Sequence, residues 1–112
     1  MAIRIATNDP RALLDAIKTA IDDGEIQTWS YDDDDDFTHS ARQWQHLAWL
    51  RPELLKDELR FSILAPQNGT LTVEVYAIYH GRFIEMLLAH FDGMFSIAIG
   101  TAKPGFGDSI GD

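Results

Sequence analysis

The sequence predicts an α+β fold: a mainly antiparallel sheet of five to six strands with two helices packed on one face. Three observations support this class. Two segments space their apolar residues at the helical period, several short segments alternate apolar and polar residues, and most connections are of hairpin length. The 112 residues fit one domain, which we place at residues 1–102, and the Gly-containing stretch 103–112 is predicted to be a flexible C-terminal tail.

The first predicted element is a strand at Ile3–Ala6, and a helix follows over residues 10–23. Asn8 or Asp9 can cap this helix, and Pro10 suits its first turn because the proline ring presets a helical φ. The apolar residues of the helix have the spacing of one face; they are Leu13, Leu14, Ile17, Ala20 and Ile21.

The next segment is a hairpin around a run of five aspartates. Residues 26–31 alternate in the manner of a strand, and residues 37–39 supply the returning strand. Adjacent carboxylates repel one another in any regular element, and Asp is unfavourable in strands, so residues 32–36 are predicted to form the solvated loop between them. His39 is interpreted as a polar residue at a strand end.

The middle of the chain is predicted to hold a short helical turn and a strand. Ser40 and Gln43 match the capping box, which predicts the turn through Trp44. A strand is expected over residues 47–51, and Pro52 is expected to stop it, because proline cannot donate a hydrogen bond to a neighbouring strand.

The clearest strand pattern begins at Glu58, after a turn at residues 56–57. A second turn at residues 66–69 then leads into a returning strand over residues 70–79. The inward-facing residues of the first of these strands are Leu59, Phe61, Ile63 and Ala65.

The last predicted elements are a helix over residues 81–92 and a strand over residues 94–101. Gly93 separates them, because glycine commonly ends a helix. The apolar stripe of the helix consists of Ile84, Leu87, Leu88 and Phe91.

Composition and charge exclude or disfavour several classes of function. The absence of Cys excludes thiol catalysis and thiolate metal sites. The net charge is −9, of which residues 1–40 carry −7, and this disfavours binding to nucleic acid or to an anionic membrane. Because no apolar run is long enough to cross a bilayer and the N-terminus lacks a signal-peptide pattern, we expect a cytoplasmic protein, and no motif predicts a cofactor or a catalytic residue.

The aspartate run is also the candidate metal site. Asp32, Asp34 and Asp36 occupy alternate positions, as the first ligands of an EF-hand calcium loop do. The rest of that pattern fails, because Phe37 stands where glycine is required and Gln43 where an acidic ligand is required. A solvated loop is therefore the favoured interpretation, and a weak cation site at the three carboxylates is the alternative.

A second candidate site is an anion site at His80, Gly81 and Arg82. These residues stand at the predicted start of the second helix, where unpaired N–H groups and the helix dipole favour anions. Gly81 would let a ligand approach the backbone, and Arg82 offers a planar fork for a carboxylate or phosphate. The favoured alternative is structural: a turn at Gly81 and an ordinary ion pair at Arg82.

The predicted function is a non-catalytic binding or regulatory protein that acts through protein contacts as a homo-oligomer. Both faces of Tyr76–Tyr79 are apolar, and three Trp fall within residues 29–49, so we expect apolar surface that self-association or a protein partner covers. The alternative is a protein or enzyme that binds a small anion at the start of the second helix.

Three stretches, TWSYDDDDDFTH, QWQHLAWLRP and YAIYHGRFIEMLLAHFD, resemble a family of small bacterial proteins of about this length. The resemblance spans most of the chain. That family has no assigned function, so the resemblance implies no activity and no catalytic or binding residue.

Overall fold

A computed structural model of the chain describes residues 2–111. Within them it contains one six-stranded antiparallel sheet and two helices, which confirms the predicted α+β class. The strands are ordered β2-β3-β4-β5-β1-β6 across the sheet. In chain order the elements are β1 (Ile3–Ala6), α1 (Pro10–Asp22), β2 (Trp29–Tyr31), β3 (Phe37–His39), β4 (Trp49–Leu55), β5 (Glu58–Leu64), α2 (Val73–His90) and β6 (Ile97–Gly100).

The core lies between one face of the sheet and the two helices. On β1 and β5, Ile3 pairs with Phe61 and Ile5 with Leu59, and all four side chains are fully buried. Phe83 of α2 packs on this face, with its ring centroid 4.7 Å from that of Phe61. The alternation predicted for the strand after Glu58 is therefore confirmed, because Leu59, Phe61 and Ile63 are fully buried while the residues between them are only half-buried.

The first helix and the aspartate hairpin are also confirmed. Asp9 caps α1, since its carboxylate accepts a hydrogen bond from the N–H of Ala12 at 3.0 Å. In the hairpin, β2 pairs with β3 along its whole length, with Trp29 opposite His39, and the aspartates form the connecting loop. The predicted turn at residues 56–57 joins β4 to β5, and Asp57 adopts a φ of 58° there, a conformation that Asp tolerates better than most residues.

The prediction that Pro52 stops a strand is wrong. Strand β4 runs from Trp49 through Pro52 to Leu55 and pairs with β5 along its whole length. Among residues 2–111, β3 pairs with β4 at a single position, Phe37 opposite Leu50. Beyond that position β4 is an edge on this side, and an edge tolerates proline because no neighbour needs its N–H.

The prediction of a strand over residues 70–79 and of a helix that begins at residue 81 is wrong. Helix α2 begins at Val73. Thr72 is its N-cap residue, because the Thr72 hydroxyl accepts a hydrogen bond from the N–H of Val75 at 3.1 Å. The predicted turn at residues 66–69 is present, but it leads into this helix. Tyr76 and Phe83 are buried at helical spacing, whereas Val73 is 84% exposed, so tertiary packing has selected the helical period.

The predicted tail makes backbone hydrogen bonds with the end of β5. The N–H of Ser109 donates to the carbonyl of Ile63 at 2.9 Å, and the N–H of Ala65 donates to the carbonyl of Ser109 at 2.7 Å. The carboxylate of Asp108 accepts the N–H of Ile63 at 2.9 Å. These bonds hold residues 108–109 beside the sheet, and the flexibility of the tail stays a prediction.

Candidate functional sites on helix α2 and the aspartate hairpin

The aspartate loop brings the three predicted ligands together. One carboxylate oxygen from each of Asp32, Asp34 and Asp36 lies within 4.8 Å of the others. Asp32 already accepts the N–H groups of Asp34 and Asp36, at 2.9 and 3.0 Å, and this shapes the loop. Cation binding by these carboxylates stays a prediction.

Asp36 differs from the other aspartates because it is buried. It is 5% exposed, and both of its oxygens accept bonds from the guanidinium of Arg51, at 2.9 and 2.7 Å. The Asp36 carboxylate raises the pKa of Arg51 through this hydrogen-bonded pair. Because β3 and β4 share only the pair Phe37–Leu50 within residues 2–111, this fork is a second tie between the hairpin and the rest of the sheet.

The predicted anion residues do not lie at a helix start. His80, Gly81 and Arg82 lie inside α2, whose first residue is Val73, so the argument from free N–H groups does not apply to them. The three side chains also diverge: His80 is buried, while Gly81 and Arg82 are exposed on the helix surface.

His80 has a structural position under α2. Its Nδ1 lies 2.6 Å from the carbonyl of Tyr76, and its Nε2 lies 3.1 Å from the carbonyl of Ala2 at the start of β1. Burial lowers the pKa of His80, and the two carbonyls and Asp108 oppose this effect. The ring therefore ties α2 to the sheet and does not face a ligand.

Arg82 faces a cleft between α2 and the aspartate hairpin. We call this the hairpin cleft; it has a volume of about 260 Å³. Helix α2 contributes Arg82, Glu85 and Met86, with Ala89 and His90 at its end, and the hairpin contributes Trp29 and His39, with Thr28 just before it.

His39 is the polar group that the hairpin buries in this cleft. It is 2% exposed, and its Nδ1 accepts the N–H of Ala41 at 3.1 Å. A neutral histidine with an accepting Nδ1 carries its proton on Nε2. Burial and the nearby Arg82 guanidinium lower the pKa of His39, which keeps the ring in this neutral form near pH 7.

The hydroxyl of Tyr79 holds the end of β3 in place. Tyr79 is fully buried, and its hydroxyl donates to the carbonyl of Trp44. The same oxygen lies 3.0 Å from Oγ1 of Thr38 and accepts the N–H of His39 at 3.4 Å. One side chain of α2 thus fixes both the turn at residues 41–47 and the backbone of His39.

The neighbouring part of the exposed face of α2 is apolar. We call it the α2 stripe; it consists of Val73, Ala77, Gly81, Ile84 and Leu88, of which all but the half-buried Ile84 are exposed. These residues are three or four positions apart, so they share one helix side. Ile84 also contacts β6, because its Cδ1 lies 3.4 Å from where a Cβ on Gly100 would be.

Strand β6 continues this surface as an open sheet edge. The N–H of Thr101 donates to the carbonyl of Ala2 at 2.9 Å, so by the alternation of an antiparallel pair Ile99 also bonds to β1. Ala98 and Gly100 then turn their N–H and C=O groups to the side where no further strand of residues 2–111 lies. Ile97 and Ile99 are 57% and 50% exposed on the face away from the helices.

Neither α1 nor α2, the helices within residues 2–111, combines the length and apolar composition that a bilayer-spanning helix needs. Comparison of the chain with models of known protein families, with curated proteins and with solved structures finds no match.

Sequence reasoning singled out two of the residues on the exposed face of α2, Gly81 and Arg82, for a reason that the helix boundary overturns. It missed the hairpin cleft, because His39 and Arg82 are far apart in the chain and meet only through the packing of Trp29 against Tyr79 of α2. A helical wheel over residues 73–90 would have separated the α2 stripe from the charged side.

Proposed function

We propose that the chain is a non-catalytic binding protein that works as a homodimer, with the α2 stripe and the open edge of β6 as the contact between two copies. The observation that supports the proposal is an exposed apolar stripe on α2, bordered by Glu74 and Glu85, in a chain of net charge −9. Elsewhere two such chains repel each other, and an exposed apolar side next to an unpaired sheet edge is typical of an interface.

A second copy is the occupant that this surface fits best, because a sheet edge is complementary to itself. Two β6 strands related by a two-fold axis pair antiparallel, and the two sheets become one continuous sheet. That arrangement brings the segment before one β6 next to the segment after the other. Asp92 of one copy then lies near Lys103 of the other, so opposite charges face each other. A parallel pairing would bring like charges together.

Gly81 has a role in such a dimer that it lacks in one chain. No heavy atom lies within 4 Å of a Cβ built on Gly81, so nothing within residues 2–111 requires a glycine there. A glycine inside a helix costs about 1 kcal/mol relative to alanine. The close approach of a second α2 helix offsets that cost, because a small residue lets two helix backbones come near each other.

The test is the mass of the protein in solution, measured by light scattering during size exclusion at high micromolar concentration. We expect about twice the chain mass of 12.6 kDa. Gly81→Arg should give a monomer with an unchanged far-UV circular dichroism spectrum, because the new side chain meets open space in one chain and a helix in the dimer.

Thr19→Arg is the matched control, since it adds the same charge at an exposed position of α1 and should leave the dimer intact. Hydrogen exchange gives a second measurement: the amides of Ala98 and Gly100 should be protected in the dimer and not in Gly81→Arg. A monomeric wild-type protein, or a Gly81→Arg variant that remains dimeric, would contradict the proposal.

A further inference from the structure

The hairpin cleft holds a hydrogen-bond donor, the Nε2–H of the largely buried His39, that has no acceptor within residues 2–111. Every enclosed side-chain nitrogen or oxygen within residues 2–111 has a hydrogen-bond partner. Nε2 of His39 has none within the same residues, so this atom reaches open space, and His39 lines the cleft. The Nδ1–Ala41 bond fixes the ring, and the N–H on Nε2 therefore points to the cleft as a preset donor.

Arg82 supplies a positive charge on the other wall. Its guanidinium makes no ion pair with another residue of the described chain, and it is near enough to His39 to affect that ring electrostatically. A guanidinium binds a planar carboxylate through two parallel N–H···O bonds. The His39 N–H adds a third donor from a different direction.

The remaining lining of the cleft limits the ligand. Glu85 carries a negative charge, which disfavours a dianion such as phosphate and leaves room for only one negative group near Arg82. Trp29 and Met86 are apolar walls, and Trp29 is 2% exposed in a rigid aromatic cluster with Tyr79 and Phe83. A volume of about 260 Å³ suits a small molecule, well below the size of a peptide.

We infer that the hairpin cleft binds a small monocarboxylate with an apolar or aromatic body, whose carboxylate bonds to Arg82 and to Nε2 of His39. The apolar body lies against Trp29 and Met86. This site is distinct from the α2 stripe, because the α2 residues that line it, Arg82, Glu85 and Met86, are not members of the stripe.

Phenylacetate is the probe, titrated into the protein while the amide shifts of residues 28–41 and 82–90 are followed. We expect saturable shifts with a millimolar dissociation constant. Phenethylamine lacks the carboxylate, and phosphate lacks the apolar body and adds charge, so both should bind at least about tenfold more weakly.

Two variants assign the contacts. Arg82→Gln should weaken phenylacetate binding about tenfold or more, because it removes the charged fork. His39→Asn should weaken it several-fold, because the Asn carbonyl can still accept the N–H of Ala41 while the donor at Nε2 is lost. The matched control is Arg11→Gln on the exposed surface of α1, which should bind as the wild type does.

No saturable shift at 20 mM phenylacetate, equal binding of phosphate or phenethylamine, or wild-type affinity in Arg82→Gln would each overturn the inference. Val73→Arg, which changes the α2 stripe at the start of the helix and far from Arg82, should bind phenylacetate normally. Loss of binding in that variant would also overturn the inference as stated, since it would place the ligand at the dimer surface.

Discussion

The exposed face of α2 has two neighbouring parts, which differ in charge and in what lies next to them. On the side of the hairpin cleft, Arg82 and Glu85 line the cleft together with the buried side chain of His39. On the other side, the α2 stripe carries no charge and adjoins the open edge of β6. The difference indicates that one helix serves two contacts of different chemistry: a directional polar contact with a small ligand and a broad apolar contact with a flat surface.

Different contacts hold the hairpin cleft and the α2 stripe in place. The cleft depends on the hairpin, whose contacts with the remainder of the fold include those of Tyr79, Asp36 and Thr38. The stripe depends on α2 and the central strands, which His80 ties together. Perturbing one support at a time should therefore change one side and leave the other intact.

The largest effect is expected for Tyr79→Phe. The substitution removes a buried hydroxyl and leaves the carbonyl of Trp44 with only the longer bond from the N–H of Leu47 at 3.4 Å, so the free energy of unfolding should fall by about 1–3 kcal/mol. Urea denaturation measures this loss. Phenylacetate binding should weaken, because the backbone of His39 loses its anchor, while the dimer mass should not change. Loss of the dimer at a temperature where the variant is folded would show that the two sides are not independent.

A smaller effect is expected at the aspartate loop, where Asp36→Asn should lower the free energy of unfolding by about 1–2 kcal/mol. The cost stays moderate because the half-exposed side chain of Arg51 regains water. Asp33→Asn is the matched control, since no hydrogen bond to its side chain occurs within residues 2–111, and it should change stability by less than about 0.5 kcal/mol. Equal effects at the two positions in thermal denaturation would refute the structural role of Asp36.

The smallest effect is a dependence of stability on pH. The pKa of His80 in the folded protein is below its ordinary value because the ring is buried, so the unfolded chain takes up a proton first as the pH falls. The free energy of unfolding should therefore decrease from about pH 7 towards pH 5, through the ordinary histidine pKa of about 6.5. His80→Gln should make this decrease shallower.

His39→Asn should act on the same pH profile from the other side of α2, because burial lowers the pKa of His39 as well. Denaturant titrations at several pH values separate the two contributions. A wild-type slope retained in both variants would assign the pH dependence to other groups.

Local periodicity predicted most of the fold. The alternation around Leu59, Phe61 and Ile63 and the stripe of α1 each fit one period only, and both elements were predicted correctly. Residues 70–79 fit both the two-residue period of a strand and the 3.6-residue period of a helix. Leu71, Val73 and Val75 alternate as a strand would, yet Tyr76 and Ile78 made the opposite face apolar, and that second apolar set was the signal of a helix buried on one side.

The sites were harder to predict than the fold. The three aspartates of the loop are close in sequence, so their proximity in space followed from the hairpin. His39 and Arg82 belong to different elements, and their meeting depends on packing that no local pattern records. The boundary of α2 also decided the roles of His80, Gly81 and Arg82, because a shift from a helix start to a helix interior changes a shared backbone site into three separate side chains.

The place of β1 in the sheet has a consequence for folding kinetics. β1 is an early element of the chain, yet it lies between β5 and β6, whose residues are more than fifty positions further along. Such distant pairing raises the contact order and slows folding, because loop closure must precede most of the stabilising contacts. During synthesis β1 has both of its edges unpaired until β5 and then β6 leave the ribosome, so the backbone N–H and C=O groups of β1 lack strand partners for most of translation.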